Sequence, residues 1–234
     1  MLKPSWSPTL LRKLPQSRLL LLGLPLISLV LITVSFYSVH LPQRQIPDPA
    51  IDISTPKGQE TAVFAGGCFW GVEAVFEHLK GVSNVTSGYS GGSAATAHYS
   101  EVSYGRTGHA EAVKVTYDPS QISYGQLLKV YFSVAHNPTQ LNRQGPDSGT
   151  QYRSAIFFSS PEQKRIAQSY IEQLDRARSF TTSIVTQIVA LDQFYAAEDY
   201  HQNFIDRNPV HPYVLVHDLH KLRQLQTQFP NLYK

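Results

Sequence analysis

Between Thr61 and Tyr89 the hydrophobic pattern changes period twice, and this switch restricts the folds open to the chain more than any other feature. Thr61 to Ala65 is a short apolar run of strand length. Phe69, Val72, Phe76 and Leu79 then recur at helical spacing, Gly81 stops the helix, and Val82 to Tyr89 is a second strand. A strand, a helix and a strand joined by tight glycine turns form a βαβ unit, which buries its helix against a sheet.

The rest of the chain extends this unit. In Ala112 to Tyr117, Val113, Val115 and Tyr117 alternate with polar or small neighbours, as in a half-buried strand. Tyr124 to Ala135 is an apolar helix, Ala155 to Phe158 a strand, Pro161 to Ala177 a helix with proline in its first turn, and Ile184 to Val189 a strand. Ala196 to Asn208 and Val214 to Gln228 have helical character. The order β-α-β-β-α-β, with an α-β and further helices appended, predicts an α+β fold. Its form is a two-layer, ferredoxin-like (split βαβ) sandwich with additional C-terminal helices, preceded by an N-terminal hydrophobic segment. The two long loops, Ser90 to His109 and His136 to Thr150, are where such a scaffold carries its chemistry.

From Leu19 to Val39 there is no charge, and Leu, Ile and Val dominate. About twenty such residues cross a bilayer as a helix. Arg12, Lys13 and Arg18 precede the stretch and only Arg44 follows soon after, which predicts a membrane anchor with the main domain on the non-cytoplasmic side. A cleaved signal, leaving a secreted, periplasmic or lumenal protein, is the alternative. The expected organisation is a basic segment 1–18, an anchor or signal segment 19–39, a Pro-rich linker 40–60 and one catalytic domain 61–234. Residues 61–234 carry fourteen basic and fourteen acidic residues, so the folded part has no excess charge for phosphates, and nucleic acid is disfavoured as a partner.

Cys68 is the single cysteine. It follows Gly66 and Gly67 at the strand-to-helix turn, where unpaired N–H groups bias a sulfur toward thiolate and the glycines leave it uncovered. The alternative is a small buried core residue. Glu111 begins the strand after the first long loop. Near Cys68 in an apolar pocket it would stay protonated as a general acid; on the solvent side of an edge strand it would be an ordinary surface carboxylate. Tyr99 and Tyr152 could donate phenolic hydrogen bonds to a substrate oxygen or simply pack. Asp147, in Pro146-Asp147-Ser148-Gly149, is a natural turn residue.

Taken together these residues resemble the A-type peptide methionine sulfoxide reductases. The match runs through Gly66 and Cys68-Phe69-Trp70-Gly71-Val72-Glu73, Gly88-Tyr89-Ser90-Gly91-Gly92, Tyr99-Ser100-Glu101-Val102, Gly105 to Val113, Tyr117-Asp118-Pro119, His136-Asn137-Pro138, Gly149 to Ala155 and Ala197 to Gln202. The resemblance implies reduction of methionine S-sulfoxide, free or within proteins, and so repair after oxidative stress. It implies that Cys68 attacks the sulfoxide sulfur while Glu111 protonates the oxygen, leaving a cysteine sulfenic acid. Tyr99, Tyr152 and Asp147 would hold the oxygen or an ordered water, and Phe69 and Trp70 would form the pocket for the S-methyl group.

Many members carry downstream cysteines that form a disulfide for thioredoxin to reduce. This chain has none, and Ser103 stands where some relatives have Cys. The expectation is therefore a monomer with no bound cofactor and no metal, recycled by an external thiol reductant that is thioredoxin-like, glutaredoxin-like or a small thiol. His217 and His220 lack further ligands at readable spacing and are read as packing or solvated residues. Two rival readings are a cysteine hydrolase or acyltransferase with His109 or His136 as base, and a binder of oxidised Met-rich segments that does not turn over.

Overall fold

Alternation along the central strands sorts their side chains onto two faces, and that sorting places the site. The computed structural model describes residues 46–52 and 58–234, all within one compact unit, Pro42–Lys234. Its first half contains β1 (Glu60–Gly66), α1 (Phe69–Glu77), β2 (Val82–Ser90), a short α2 (Tyr99–Val102), β3 (Ala110–Tyr117) and α3 (Tyr124–Val130). A two-residue hairpin, β4 (Arg143–Gln144) and β5 (Asp147–Ser148), precedes β6 (Ser154–Phe158) and α4 (Pro161–Arg176). Then follow β7 (Gln187–Ala190), β8 (Phe194–Ala196), α5 (Phe204–Arg207) and α6 (Leu219–Gln228).

The main sheet has the order β7-β6-β1-β3-β2-β8. Its inner pairs, β6 with β1, β1 with β3 and β3 with β2, are antiparallel. Hence β1 and β2 run parallel with β3 inserted between them, the split βαβ arrangement, with α1 as the crossover. Ala62 and Phe64 of β1, Val113, Val115 and Tyr117 of β3 and Ile156 of β6 face the helices. Val63, Ala65, Ala110, Ala112, Ala155 and Phe157 face the other way, toward Leu191 and Phe194. Phe64 centres the helix side, stacked on Phe76 at 5.2 Å, Tyr131 at 5.1 Å and Tyr124 at 6.2 Å between ring centroids. Glu111 shares the parity of Val113, so β3 delivers a carboxyl to this packed face at the end nearest the start of α1.

Several boundaries differ from the sequence expectation, each for a local reason. Tyr124 to Ala135 is α-helical only to Val130. Its last turn widens to i→i+5 bonding over Tyr131–Ala135, and the Tyr131 hydroxyl donates to the Ala65 carbonyl at 2.7 Å. Ala196 to Asn208, expected as a helix, is broken up. Its start pairs with the outer edge of β2 as β8, matching Gly88 with Ala196 and Ser90 with Phe194, because an uncovered strand edge leaves a row of unpaired backbone groups. A single turn at Asp199–His201 and a left-handed Asn203 (φ 50°) separate β8 from α5.

Within the stretch expected as linker, residues 46–52 lie against α3 and α4. Ile46 enters the core, Tyr170 donates to the Pro47 carbonyl at 2.7 Å, and Lys129 pairs with Asp48 at 2.6 Å. The apolar stretch 19–39 lies outside the described residues. Among the described residues no helix is long and apolar enough to cross a membrane. The longest, α4 with 16 residues, reaches about 24 Å, short of a hydrocarbon core of about 30 Å.

Candidate active site

Cys68 caps the N-terminus of α1, and Gly67 before it takes φ +93°. A Cβ at Gly67 would also lie 2.5 Å from the side chain of Gln144, so both conformation and space require glycine in this turn. The half-buried Cys68 packs against the helix-side core. Its thiol is pushed well above the ordinary range, by burial first and then by the charges of Glu111 and Asp218, against the lowering effect of the Trp70 backbone N–H and of Lys221. The helix terminus is thus outweighed, and the resting sulfur is a thiol rather than the thiolate its position alone predicts.

Glu111 is 2% exposed and accepts a hydrogen bond from the Phe69 backbone N–H at 3.1 Å. One of the unpaired donors at the start of α1 therefore ends on this carboxyl, beside the cysteine. Burial pushes its pKa up to about 8. The Phe69 N–H opposes the rise and the charge of Asp147 adds to it, so the group carries its proton at neutral pH. β3 is a central strand, and the edge-strand alternative for Glu111 fails.

Tyr99 and Tyr152 come from different loops and gather over the same spot. Burial raises both phenols, and each also feels the charges of Glu111, Cys68 and Asp147. Both remain proton donors at neutral pH. Their loops are cross-braced by the Thr150–Arg153 segment. Thr150 Oγ1 donates to the Gly105 carbonyl at 2.9 Å, Gln151 Nε2 to Ser103 O at 2.9 Å, and Arg153 to both Thr150 O and Gly108 O at 2.9 Å. Asp147 sits on β5 and accepts from the Tyr213 hydroxyl.

Phe69 is fully buried against Tyr89 and His201, with centroids 5.9 and 5.0 Å away. Trp70 is half-buried. Its indole stacks on Phe204 at 3.6 Å, meets the ring of Tyr213 edge-on, and donates Nε1–H to His201 Nδ1 at 3.2 Å. The two aromatic residues thus form an ordered apolar wall beside the thiol and the carboxyl.

Sequence reasoning overlooked the residues that hold this wall. Glu198 accepts from the Tyr99 backbone N–H at 2.9 Å and from the Tyr89 hydroxyl at 2.8 Å. Burial raises its carboxyl, but these bonds and the nearby His201 outweigh it and hold the pKa low. Glu198 and His201 lie in the Ala197–Gln202 run noted above, which was the available signal. Tyr213, Asp218 and Lys221 gave none, since each is an ordinary residue in a polar C-terminal stretch. Lys221 Nζ donates to the buried Asp218 at 3.1 Å beside α1.

The histidines of the hydrolase reading are committed elsewhere. His109 accepts from Gly92 N at 3.2 Å and contacts Ser93 O at 2.9 Å; His136 contacts Tyr131 O at 3.1 Å and Ser154 Oγ at 2.6 Å. Burial lowers His136 to about 3, and its ring is neutral.

The thiol, the carboxyl that holds its proton and the two phenols lie within electrostatic reach of one another, and the candidate histidines are bonded elsewhere. This arrangement fits redox chemistry at sulfur better than a Cys-His hydrolase. A sequence model of the family described as peptide methionine sulfoxide reductase matches residues 60–232. The chain is 55% identical over 207 residues to peptide methionine sulfoxide reductase MsrA 2 of Synechocystis, covering 87% of this chain and 97% of the relative. It is 60% identical over 183 residues to MsrA 2 of Mesorhizobium japonicum, covering 78% and 94%. Among solved structures, methionine sulfoxide reductase A of Corynebacterium diphtheriae superposes with TM-score 0.59 at 36% identity, covering 71% of this chain and 84% of that one. The reduced form of Mxr1 from Saccharomyces cerevisiae gives 0.61 at 32% identity, covering 69% and 92%. The chain belongs to the peptide methionine sulfoxide reductase family, and it is an oxidoreductase of that class.

The same findings correct the expected location. The relatives match over nearly their whole lengths and are named for the reductase alone, and no described helix can cross a membrane. The anchored, non-cytoplasmic placement and the membrane partner inferred from residues 19–39 are withdrawn. That inference rested on the hydropathy of a single segment.

Proposed function

We propose that residues 61–234 reduce methionine S-sulfoxide by a one-cysteine cycle in which Glu111 relays the proton. The sulfoxide oxygen carries negative charge, and Glu111 with the phenols of Tyr99 and Tyr152 presents donors to it, while the Phe69–Trp70 wall receives the S-methyl group. Cys68 sulfur attacks the sulfoxide sulfur, Glu111 gives its proton to the oxygen, and the thiol proton passes to Glu111. The hydroxyl then shifts onto Cys68, forming a new S–O bond there as the S–S bond and the substrate S–O bond break. Methionine leaves, and Cys68 is left as sulfenic acid. The observation that carries this reading is the buried, protonated Glu111 bonded at the first turn of the helix that Cys68 caps. A wall on one side of the sulfur and donors on the other discriminate between epimers. An external thiol then reduces Cys68, because the chain has no second cysteine.

The test is one turnover on resolved epimers without reductant, followed by mass spectrometry of Cys68. One equivalent of methionine from the S epimer and one added oxygen on Cys68 are expected, with Cys68→Ser inactive. Equal consumption of both epimers, or Cys68 left unmodified, overturns the reading. No methionine from the wild type, with sulfoxide bound equally by the wild type and Cys68→Ser, would point to binding alone.

A further inference from the structure

Beside Cys68 lies an opening whose wall does not include Glu111, Tyr99, Tyr152 or Trp70. It is a cavity of about 550 Å³ that reaches Cys68 and is lined by His217, His220, Lys221 and Gln224. The volume falls within the range of small-molecule sites. No Asp or Glu lines it. The four named residues recur at i, i+3, i+4 and i+7 and so present one face of the C-terminal helical segment. Lys221 bonds Asp218 with one of its three ammonium hydrogens, leaving the others for a ligand. The cleft offers hydrogen-bond donors and no carboxyl among its lining residues, and Cys68 forms part of its wall.

We propose that this cleft admits the recycling reductant, and that the reductant is a small thiol bearing carboxylates. The inference rests on the sulfenic acid cycle above. That cycle leaves an oxidised sulfur with no partner cysteine in the chain, so the second reactant must reach Cys68 from outside. The thiol sulfur attacks Cys68, its proton and the sulfenic hydroxyl leave together as water, and a mixed disulfide forms. A second molecule of the thiol cleaves that bond, returning the Cys68 thiol and releasing the small-molecule disulfide. The carboxylates of the thiol would be held by Lys221, His217 and His220.

The test compares three thiols on the sulfenic acid form of the full chain, made with one equivalent of the S-sulfoxide: anionic glutathione, cationic cysteamine and neutral dithiothreitol. Gln224→Glu and Gln224→Lys alter the charge of the cleft at its wall. Relative to dithiothreitol on the same variant, the glutathione rate should fall about three- to ten-fold in Gln224→Glu and rise in Gln224→Lys, with cysteamine moving in the opposite sense. Intact-protein mass spectrometry should detect the glutathione mixed disulfide on Cys68. Rate ratios that match the wild type in both variants overturn the proposal. So does a defect in Gln224→Glu confined to the KM for sulfoxide, which would make the cleft a substrate groove. If no sulfenic acid forms on Cys68 at the outset, the reductase cycle itself fails and this proposal fails with it, an outcome distinct from unchanged ratios.

Discussion

Glu111 and Cys68 share one burial problem. Both are held protonated at neutral pH, the carboxyl with a pKa of about 8 and the thiol well above its ordinary range. A reaction that passes the thiol proton to Glu111 as Glu111 passes its own to the sulfoxide needs both protons at the start. Methionine release in a single turnover should therefore be flat below pH 7 and fall as pH rises through about 8. In Glu111→Gln the falling limb should vanish and the rate drop by about 10²–10⁴. Quench-flow on the S epimer measures both, and a falling limb that survives in Glu111→Gln would assign the acid to another group. At this scale the sequence was legible where chemistry dictates residue type at a turn. Cys68 stood out by its two preceding glycines, whereas Glu111 at a strand start could equally be a surface carboxylate, and only the family resemblance pointed to it as an acid. The charge state of the sulfur was not legible, because the helix terminus can be read from sequence while the burial that opposes it depends on Asp218 and on packing from distant elements. Tyr213 was equally hidden among 13 tyrosines.

At the scale of elements, the site depends on how two long loops are held over the ends of β1 and β3. Arg153 bridges them, with one nitrogen on Thr150 O and another on Gly108 O. Its planar fork suits this double bond, which a lysine cannot reproduce. Arg153→Met should lower kcat/KM about ten-fold, raise amide exchange across 99–109 and 147–152, and cost about 1–2 kcal/mol in urea unfolding. Arg153→Lys should recover little of the activity. Full activity with unchanged exchange in Arg153→Met would mean that other contacts hold the loops. The elements themselves were largely legible, because β1 is a continuous apolar run, α1 has helical spacing and β3 alternates, with β2 bounded by Gly81 and the loop at Ser90. β8 was not. Phe194-Tyr195-Ala196 has no strand pattern of its own and is a strand because the outer edge of β2 at Gly88 needs a partner. The helix expected over Ala196 to Asn208 overlaps β8 only at Ala196, and Phe194 and Tyr195 carried no assignment.

For the whole molecule, buried carboxyls make stability depend on pH in a direction opposite to that of salt-bridged ones. Burial raises Glu73 to about 7, and raises Glu77, beside Glu73 and Asp206, to about 8, as it does Glu111. The same groups ionise near 4.5 in the unfolded chain, so between pH 4.5 and 8 the folded state binds more protons than the unfolded one and stability falls as pH rises. His136, lowered to about 3, works the other way, but only below the ordinary histidine pKa of about 6.5. Above pH 6.5 the carboxyls act unopposed, each contributing at most about 1.4 kcal/mol per pH unit while it alone holds its proton. Glu73 and Glu111, both fully buried, should together remove roughly 2 kcal/mol between pH 6.5 and 8. Urea midpoints should drop across this window with no change in m-value. The double variant Glu73→Gln/Glu111→Gln should make the dependence shallower and leave only the part due to Glu77, because an amide has no proton to lose. A wild-type midpoint that stays level or climbs from pH 6.5 to 8 would mean that these carboxyls are ionised in the folded protein, and the proton relay assigned to Glu111 would lose its acid.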